Sequence, residues 1–455
     1  MFHPMAQSLL DTKVSDTLQG FGNRGSMEPA HVTIKLPPDV KSNLVIKIAE
    51  GLQTYPLENN YLWAGGLKWA EDLMDLLPQD AREKIERFVG ERNLARFIVT
   101  EINNDRDRTD PKPLLVAGQP LTQLPFVANP ITYARKLIGT LEGLPYRYQL
   151  TAALPGTFSH KLINFVPDHV SLPSGIIIAK GSALSPDFPV HSPHSAVDTD
   201  LFHDWFADEQ VDRAIRDDRL YFSMPLLGYA VPSSSSVVGR HFEDHIKAFF
   251  GAAMATNLMS YGSDGDSSKL PYIMIHDKQT REILATESLE DEILERNYLC
   301  SSKSFIERDK SVINSAYRTA LGRIGTIFND HIDCRRLFAA CIWYYRAKTN
   351  RRPLDALLQA TISIEVMLGD RKSAEGVGLT NLLASRCAYL LGRSSAHRAE
   401  IEEKFRRVYE LRSQIVHEGR HTLKLADSDT VKLGNSLCAA IISRELSIRA
   451  MPEEN

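Results

Sequence analysis

Arg412, Ser413 and His417 lie within six residues of one another, R-S-Q-I-V-H, near the end of a 455-residue chain. A guanidinium keeps its charge throughout the pH range proteins meet and grips a phosphate in a fixed fork. An imidazole changes charge near neutrality and can move protons in either direction. Cleaving a phosphodiester requires both types, one to transfer protons and one to hold the phosphate as charge develops on it. Ser413 adds a hydroxyl directly after the arginine.

These residues need a helix to position them. With about 100° of turn per residue and Ile401 at 0°, Phe405, Val408, Leu411, Ile415 and Val416 form one apolar arc centred near 0°. Arg412 falls at about 20°, inside that arc, where burying a charge demands a partner. His417 falls at about 160°, on the opposite side, beside the helix-ending Gly419. Arg412 and His417 therefore diverge by about 140° on one straight helix. Two copies packed antiparallel could bring both pairs into one cleft, which predicts a homodimer.

The partner for Arg412 is readable in PLDALLQATISIEVML. With Leu354 at 0°, Leu357, Leu358 and Leu368 form an apolar stripe, and Glu365 falls at about 20° inside it. A carboxylate misplaced in one helix and a guanidinium misplaced in another are most simply explained by each other, as a bidentate pair. Arg406, Tyr409, Ser413 and Arg420 lie at about 80° to 140°, on the His417 side. Arg406 and Arg420 are candidate phosphate contacts, and Tyr409 a platform for an unpaired base, so single strands and loops are expected to be preferred to duplex. The competing expectation for Arg406 is a surface pair with Glu402 or Glu410, four residues away in either direction.

The segments ALLQATISIEVMLGD, LTNLLASRCAYLLG and IEEKFRRVYELRSQIVHEG, in that order, resemble the Apea-like branch of the HEPN family over about residues 330–447. R-S-Q-I-V-H fits that family's signature of an arginine followed within four to six residues by a histidine. Ser413 stands where many active members carry Asn, Asp or His, although Apea-like members commonly tolerate serine. The resemblance implies an all-α bundle that dimerises with its signature helices facing each other. It further implies RNA cleavage without a metal or other cofactor, often in anti-phage or toxin systems. Arg412 and His417 would be the catalytic pair, supported by Glu365 and Ser413. The other reading is a HEPN domain that has lost catalysis and serves as a dimerisation or nucleotide-binding scaffold.

The whole chain reads as α+β and multidomain, with mixed α/β in front and the helical bundle behind. Residues 1–30 form a Gly-rich leader, 31–150 a mostly helical region, 151–303 a mixed α/β region and 304–455 the all-α domain. HVTIKL is an expected strand and LKWAEDLMDLL an expected helix. DAREKIERFVGERNLARFIVTEI is expected to be one continuous helix, capped by Asp80. GIIIAK and LYFSMPLLGYAV read as strands, and PYIMIHDKQTREILATE as a hairpin turning at Asp277-Lys278-Gln279. From Ser301 onward Lys and Arg number 25 against 18 Asp and Glu, whereas the front has 28 against 39. An acidic front on a basic back favours a polyanion only at the back, and leaves the front to sense a phage or cellular trigger or to restrain the nuclease.

Two other clusters could hold a metal by residue type. His241 and His245 are spaced for one helix face, but with Glu243 and Asp244 between them they read as a solvated face. His191, His194, Asp198, Asp200, His203 and Asp204 read as a polar loop, and GSDGDSS as a turn. The five cysteines show no CxxC spacing and read as small core residues of helices in a reducing compartment. A start without a charged-then-apolar pattern and the lack of long apolar runs predict a cytoplasmic protein that crosses no membrane.

Overall fold

The computed structural model describes residues 33–450 except 91–92, 110, 187–214, 232–235, 263–271, 289–298 and 371–377. The leader, the 191–204 cluster and almost all of GSDGDSS lie outside the described residues. The chain is mixed α/β, with a small antiparallel sheet and a helical C-terminal part.

The front is a helical unit with its own core. Helix α1 (Pro38–Thr54) starts on a proline, which suits the first helical position. It buries Leu44, Val45, Ile48 and Leu52 toward helix α4 (Pro130–Glu142). Between these come α2 (Gln79–Val89) and α3 (Asn93–Asp107), two helices where one was expected. Gly90 separates them with φ 86°, a left-handed conformation that no helix can continue through. Pro78, not Asp80, occupies the N-cap of α2, and Asp80 pairs instead with Lys84 at 2.9 Å. LKWAEDLMDLL divides into one α-turn and a 3-10 segment. The described part of HVTIKL is not a strand; Ile34 and Leu36 simply bury their side chains on the way into α1.

The sheet has the order β2-β3-β4-β1-β6-β7, all antiparallel. Its strands are β1 (Tyr146–Ala153), β2 (His169–Ser171), β3 (Ile177–Lys180), β4 (Leu220–Gly228), β6 (Tyr272–Asp277) and β7 (Ile283–Ser288). Leu150 pairs with Met224 on one side and Ile275 on the other, and all three join the main core. That face packs on α6 (Val237–Ala255), which follows the one-turn helix after β3 and the seven-residue helix α5 (Gly156–Leu162) after β1. A separate pair, β5 (Met259–Tyr261) and β8 (Leu299–Ser301), carries Cys300 on a strand rather than a helix.

Among the described residues six longer helices follow: α7 (Lys310–Gly325), α8 (Ile332–Thr349), α9 (Pro353–Leu368), α10 (Leu379–Leu391), α11 (Ser395–His417) and α12 (Ser428–Arg449). α6 is buried almost all round because it lies between the sheet and α8. The approach is so close at Gly251 that an added Cβ would sit 2.0 Å from the Cys341 carbonyl oxygen. One hydrophobic core therefore runs from the sheet through α6 into α8, α9 and α12. The boundary expected near 303 falls inside this core, and the one near 150 cuts through β1.

Burial of α6 also corrects the reading of its histidines as a solvated face. His245 and Glu243 are buried, and the imidazole of His245 packs between Phe328 and Phe338 with Nδ1 on its own helix's His241 carbonyl at 2.6 Å. No helix among the described residues is long and apolar enough to cross a membrane.

Candidate functional site

Helix α9 brings the carboxylate. Pro353 begins it, and its apolar stripe buries Leu357, Ala360, Ile364 and Leu368 against α8 and α12. Glu365 lies in its last turn, where unpaired carbonyls and the negative end of the helix dipole attract cations. Arg336 of α8 donates from Nε to the Val366 carbonyl at 2.9 Å, and Arg386 of α10 from Nη1 to the Leu368 carbonyl at 2.6 Å.

Helix α11 brings the arginine. Ser394 caps it by accepting from the His397 amide at 3.2 Å. Ile401, Phe405, Val408, Leu411 and Ile415 are buried, as the angular arc requires; Val416 at its edge is half-buried. The helix ends where Gly419, at φ 68°, turns the chain, with the Glu418 and Arg420 amides both reaching the Gln414 carbonyl.

Arg412 and Glu365 meet. Nη2 of Arg412 lies 3.3 Å from Oε1 of Glu365, with the two side chains 13% and 21% exposed. The contact is partly buried, so its edge reaches water. A third residue completes it: the Tyr409 hydroxyl donates a short hydrogen bond to the same Oε1. The Arg412 guanidinium lies over the Tyr409 ring, 5.5 Å from its centroid, and that ring stacks on Phe405. Burial, reinforced by the neighbouring Glu365 carboxylate, pushes the Tyr409 hydroxyl well above its ordinary value, so it stays a donor. One carboxylate thus fixes the guanidinium directly and also holds the ring beneath it.

Compared with family models, curated proteins and solved structures, the chain matches none.

His417 is exposed at the last position of α11, beyond the Arg412 contact and on another side of the helix. Five residues separate them, about 7.5 Å along the axis and about 140° around it. One chain thus offers a clamped cation and an accessible imidazole without aiming them at one point. Ser413 is half-buried between the two faces.

Three other expected site residues occupy different roles. Tyr409 is only 7% exposed, and its ring and hydroxyl are both engaged in the Glu365 contact, so it offers no platform to a base. Its position about 60° from Arg412 was the available signal that the two share a neighbour. Arg420 is tied into its own loop, donating from Nη1 to Gln414 at 2.8 Å and from Nε to the Thr422 carbonyl at 3.1 Å while pairing with Asp427. It fixes the chain just after His417 rather than facing outward. Arg406 is exposed but occupied: Nη1 reaches Asn381 Oδ1 at 2.5 Å and Nη2 lies 3.8 Å from Glu402. That is the surface pair with Glu402, plus a bridge to α10.

Among the described residues no group of three or more His, Cys, Asp or Glu is arranged to hold a metal ion.

Proposed function

We propose that the protein is an endoribonuclease of HEPN type, cleaving RNA through the ribose 2′-hydroxyl without a metal. The observation that carries the reading is the clamping of Arg412 by Glu365 and Tyr409 at a partly open edge, on the same helix that ends in an exposed His417. A cation held by its own carboxylate loses little freedom when a phosphate arrives, so binding energy is not spent on ordering it.

In this mechanism the His417 imidazole accepts the proton of the 2′-hydroxyl as that oxygen attacks the adjacent phosphorus. The bond from phosphorus to the 5′-oxygen breaks, leaving a 2′,3′-cyclic phosphate, and a protonated imidazole returns a proton to the departing oxygen. Arg412 holds the non-bridging oxygens where negative charge builds. The two residues diverge on α11, so the complete site takes Arg412 and His417 from two antiparallel copies of the helix. The acidic front of the chain would then restrain the nuclease or respond to a phage or cellular trigger.

The test is incubation of the purified full chain with total RNA in excess chelator. Wild type should yield fragments with cyclic-phosphate ends, and His417→Ala and Arg412→Ala should not. Cleavage by His417→Ala at the wild-type rate would remove the catalytic assignment.

A further inference from the structure

Helices α10 and α11 form an antiparallel hairpin whose exposed side holds a second feature, distinct from the Arg412 contact. Tyr389 of α10 is 70% exposed, and the Arg398 guanidinium of α11 lies over its ring, 4.6 Å from the centroid. Two helical turns away on both helices, Arg406 reaches Asn381 by the bond already described. Both bridges fit one register, and Ser385 and Glu402 fall opposite each other between them. By register the six side chains share one side of the hairpin, which α11 continues toward Ser413 and His417.

The balance of charge and chemistry points to one kind of occupant. From Leu379 to His417 the hairpin carries seven Arg and Lys against four Glu, and Glu402, the acid on this face, already faces Arg406. Among the described residues no carboxylate lies within ion-pair distance of Arg398, and its buried Nε has no hydrogen-bond partner. An unpaired guanidinium stacked on an open tyrosine face is a plate of the kind on which unstacked bases rest, while the remaining N–H groups meet phosphates. From Arg398 to His417 the helix runs about 28 Å, room for a strand of several nucleotides.

We propose that this exposed face of the α10–α11 hairpin is the track that delivers single-stranded RNA to His417, with Tyr389 and Arg398 as its base-stacking plate. The assignment rests on RNA being the substrate, as proposed above, but it places recognition in residues that take no part in the chemistry. Tyr389 takes over the stacking role that the burial of Tyr409 rules out. Arg406 stays in its bridge to Asn381 and Glu402, and Glu402 weakens binding by facing the RNA backbone.

Binding and cleavage can be read separately. An oligouridylate of about 12 nucleotides carrying 2′-O-methyl groups fits such a track and lacks the hydroxyl that cleavage needs. Its affinity for the full chain, measured by fluorescence anisotropy at several salt concentrations, should fall about tenfold in Tyr389→Ala and hold in Tyr389→Phe. Arg398→Gln should flatten the salt dependence by about 0.7 in the logarithmic slope, one phosphate contact's share. Glu402→Gln should bind about threefold more tightly, since it removes a like charge from the path. The same oligonucleotide paired into a duplex should lose little in Tyr389→Ala.

Wild-type affinity in Tyr389→Ala, or no measurable binding by the wild type, overturns the track. The first of these is also what a tyrosine reserved for a protein partner would give. Unchanged binding in Tyr389→Ala beside lost cleavage in His417→Ala refutes the track alone. A binding defect in Tyr389→Ala beside normal cleavage in His417→Ala refutes the chemistry alone.

Discussion

Replacing Glu365 with alanine removes two interactions at once, and the structure sets their sizes. The Tyr409 hydroxyl loses a hydrogen bond to a charged acceptor, about 1.5–3 kcal/mol. The Arg412 guanidinium loses its ion pair, which would cost about 3–5 kcal/mol if fully buried and under about 1 kcal/mol on an open surface. At 13% and 21% exposure the pair lies between these limits, and the freed guanidinium can turn part of the way into water. Because both interactions share one oxygen they do not add in full, and about 3 kcal/mol is expected for Glu365→Ala. Glu365→Gln keeps an acceptor for the tyrosine and should cost about 1–2 kcal/mol. Arg412→Ala leaves the carboxylate still bonded to Tyr409, so it should also cost about 1–2 kcal/mol, less than a fully buried pair would give. His417 is exposed and should cost less than about 0.5 kcal/mol.

Urea unfolding followed by tryptophan fluorescence, to which the buried Trp343 of α8 contributes, includes the core that contains these helices. The same variants should separate in cleavage. Glu365→Gln should lower the rate of RNA cleavage while leaving the affinity for a non-cleavable strand near wild type, because the arginine is present but no longer held. A Glu365→Ala protein within about 0.5 kcal/mol of wild type would show that Arg412 and Tyr409 do not depend on this carboxylate, and the positioning argument would fall with it.

Three further outcomes follow from positions elsewhere in the fold. Glu287 is buried at the start of α6, where Ser236 donates to it from the backbone at 3.4 Å and only a glycine at 239 leaves room for its carboxylate. Burial outweighs Ser236, Arg240 and Arg96 and raises its pKa to about 7, so the stability it contributes is full below about pH 4.5 and is lost as pH rises through 7. That loss is on the order of 3 kcal/mol, and Glu287→Gln should abolish it; an unchanged slope of unfolding free energy between pH 5 and pH 7.5 would count against the assignment. Arg420→Ala should lower cleavage by freeing the loop after His417 without changing the salt dependence of RNA binding, whereas a flattened slope would restore Arg420 as a phosphate contact. Gly251→Ala should force α6 and α8 apart and cost at least about 2 kcal/mol in urea unfolding; a stable variant would mean that the two helices are free to shift.

The parts of this fold that were legible in the sequence are those decided within one element. The arc of α11, the break at Gly419 and the helical character of the C-terminal part follow from spacing and punctuation. The two charges inside apolar stripes also found each other, because a buried guanidinium and a buried carboxylate leave few alternatives. β1 could have been read and was missed: Tyr146, Tyr148, Leu150 and Ala152 alternate with Arg147, Gln149 and Thr151 across a boundary drawn at 150. What lies between elements was not legible. No periodicity says that α6 is covered on every side, so His245 and Glu243 read as wet until the sheet and α8 are placed around them.

The same limit explains why Tyr409 reads as open in the sequence although it is buried. Tyr409 lies about 80° from the centre of the α11 stripe, a sector that reads as a flank of the helix. Whether a flank meets water depends on the neighbouring helix, and here α9 fills that sector with Glu365, drawing the ring and hydroxyl inward. Tyr389 sits on α10, whose short apolar sequence gives no reason to expect an exposed ring. It is open because the three-residue turn into α11 places Arg398, not an apolar side chain, across from it. A charged side chain can cover one face of a ring while its own head stays hydrated, which leaves the other face for a planar ligand. The chemistry of the proposed site is thus set by types and spacing along α11. The route proposed for RNA rests on the register between two helices, which only the assembled hairpin displays.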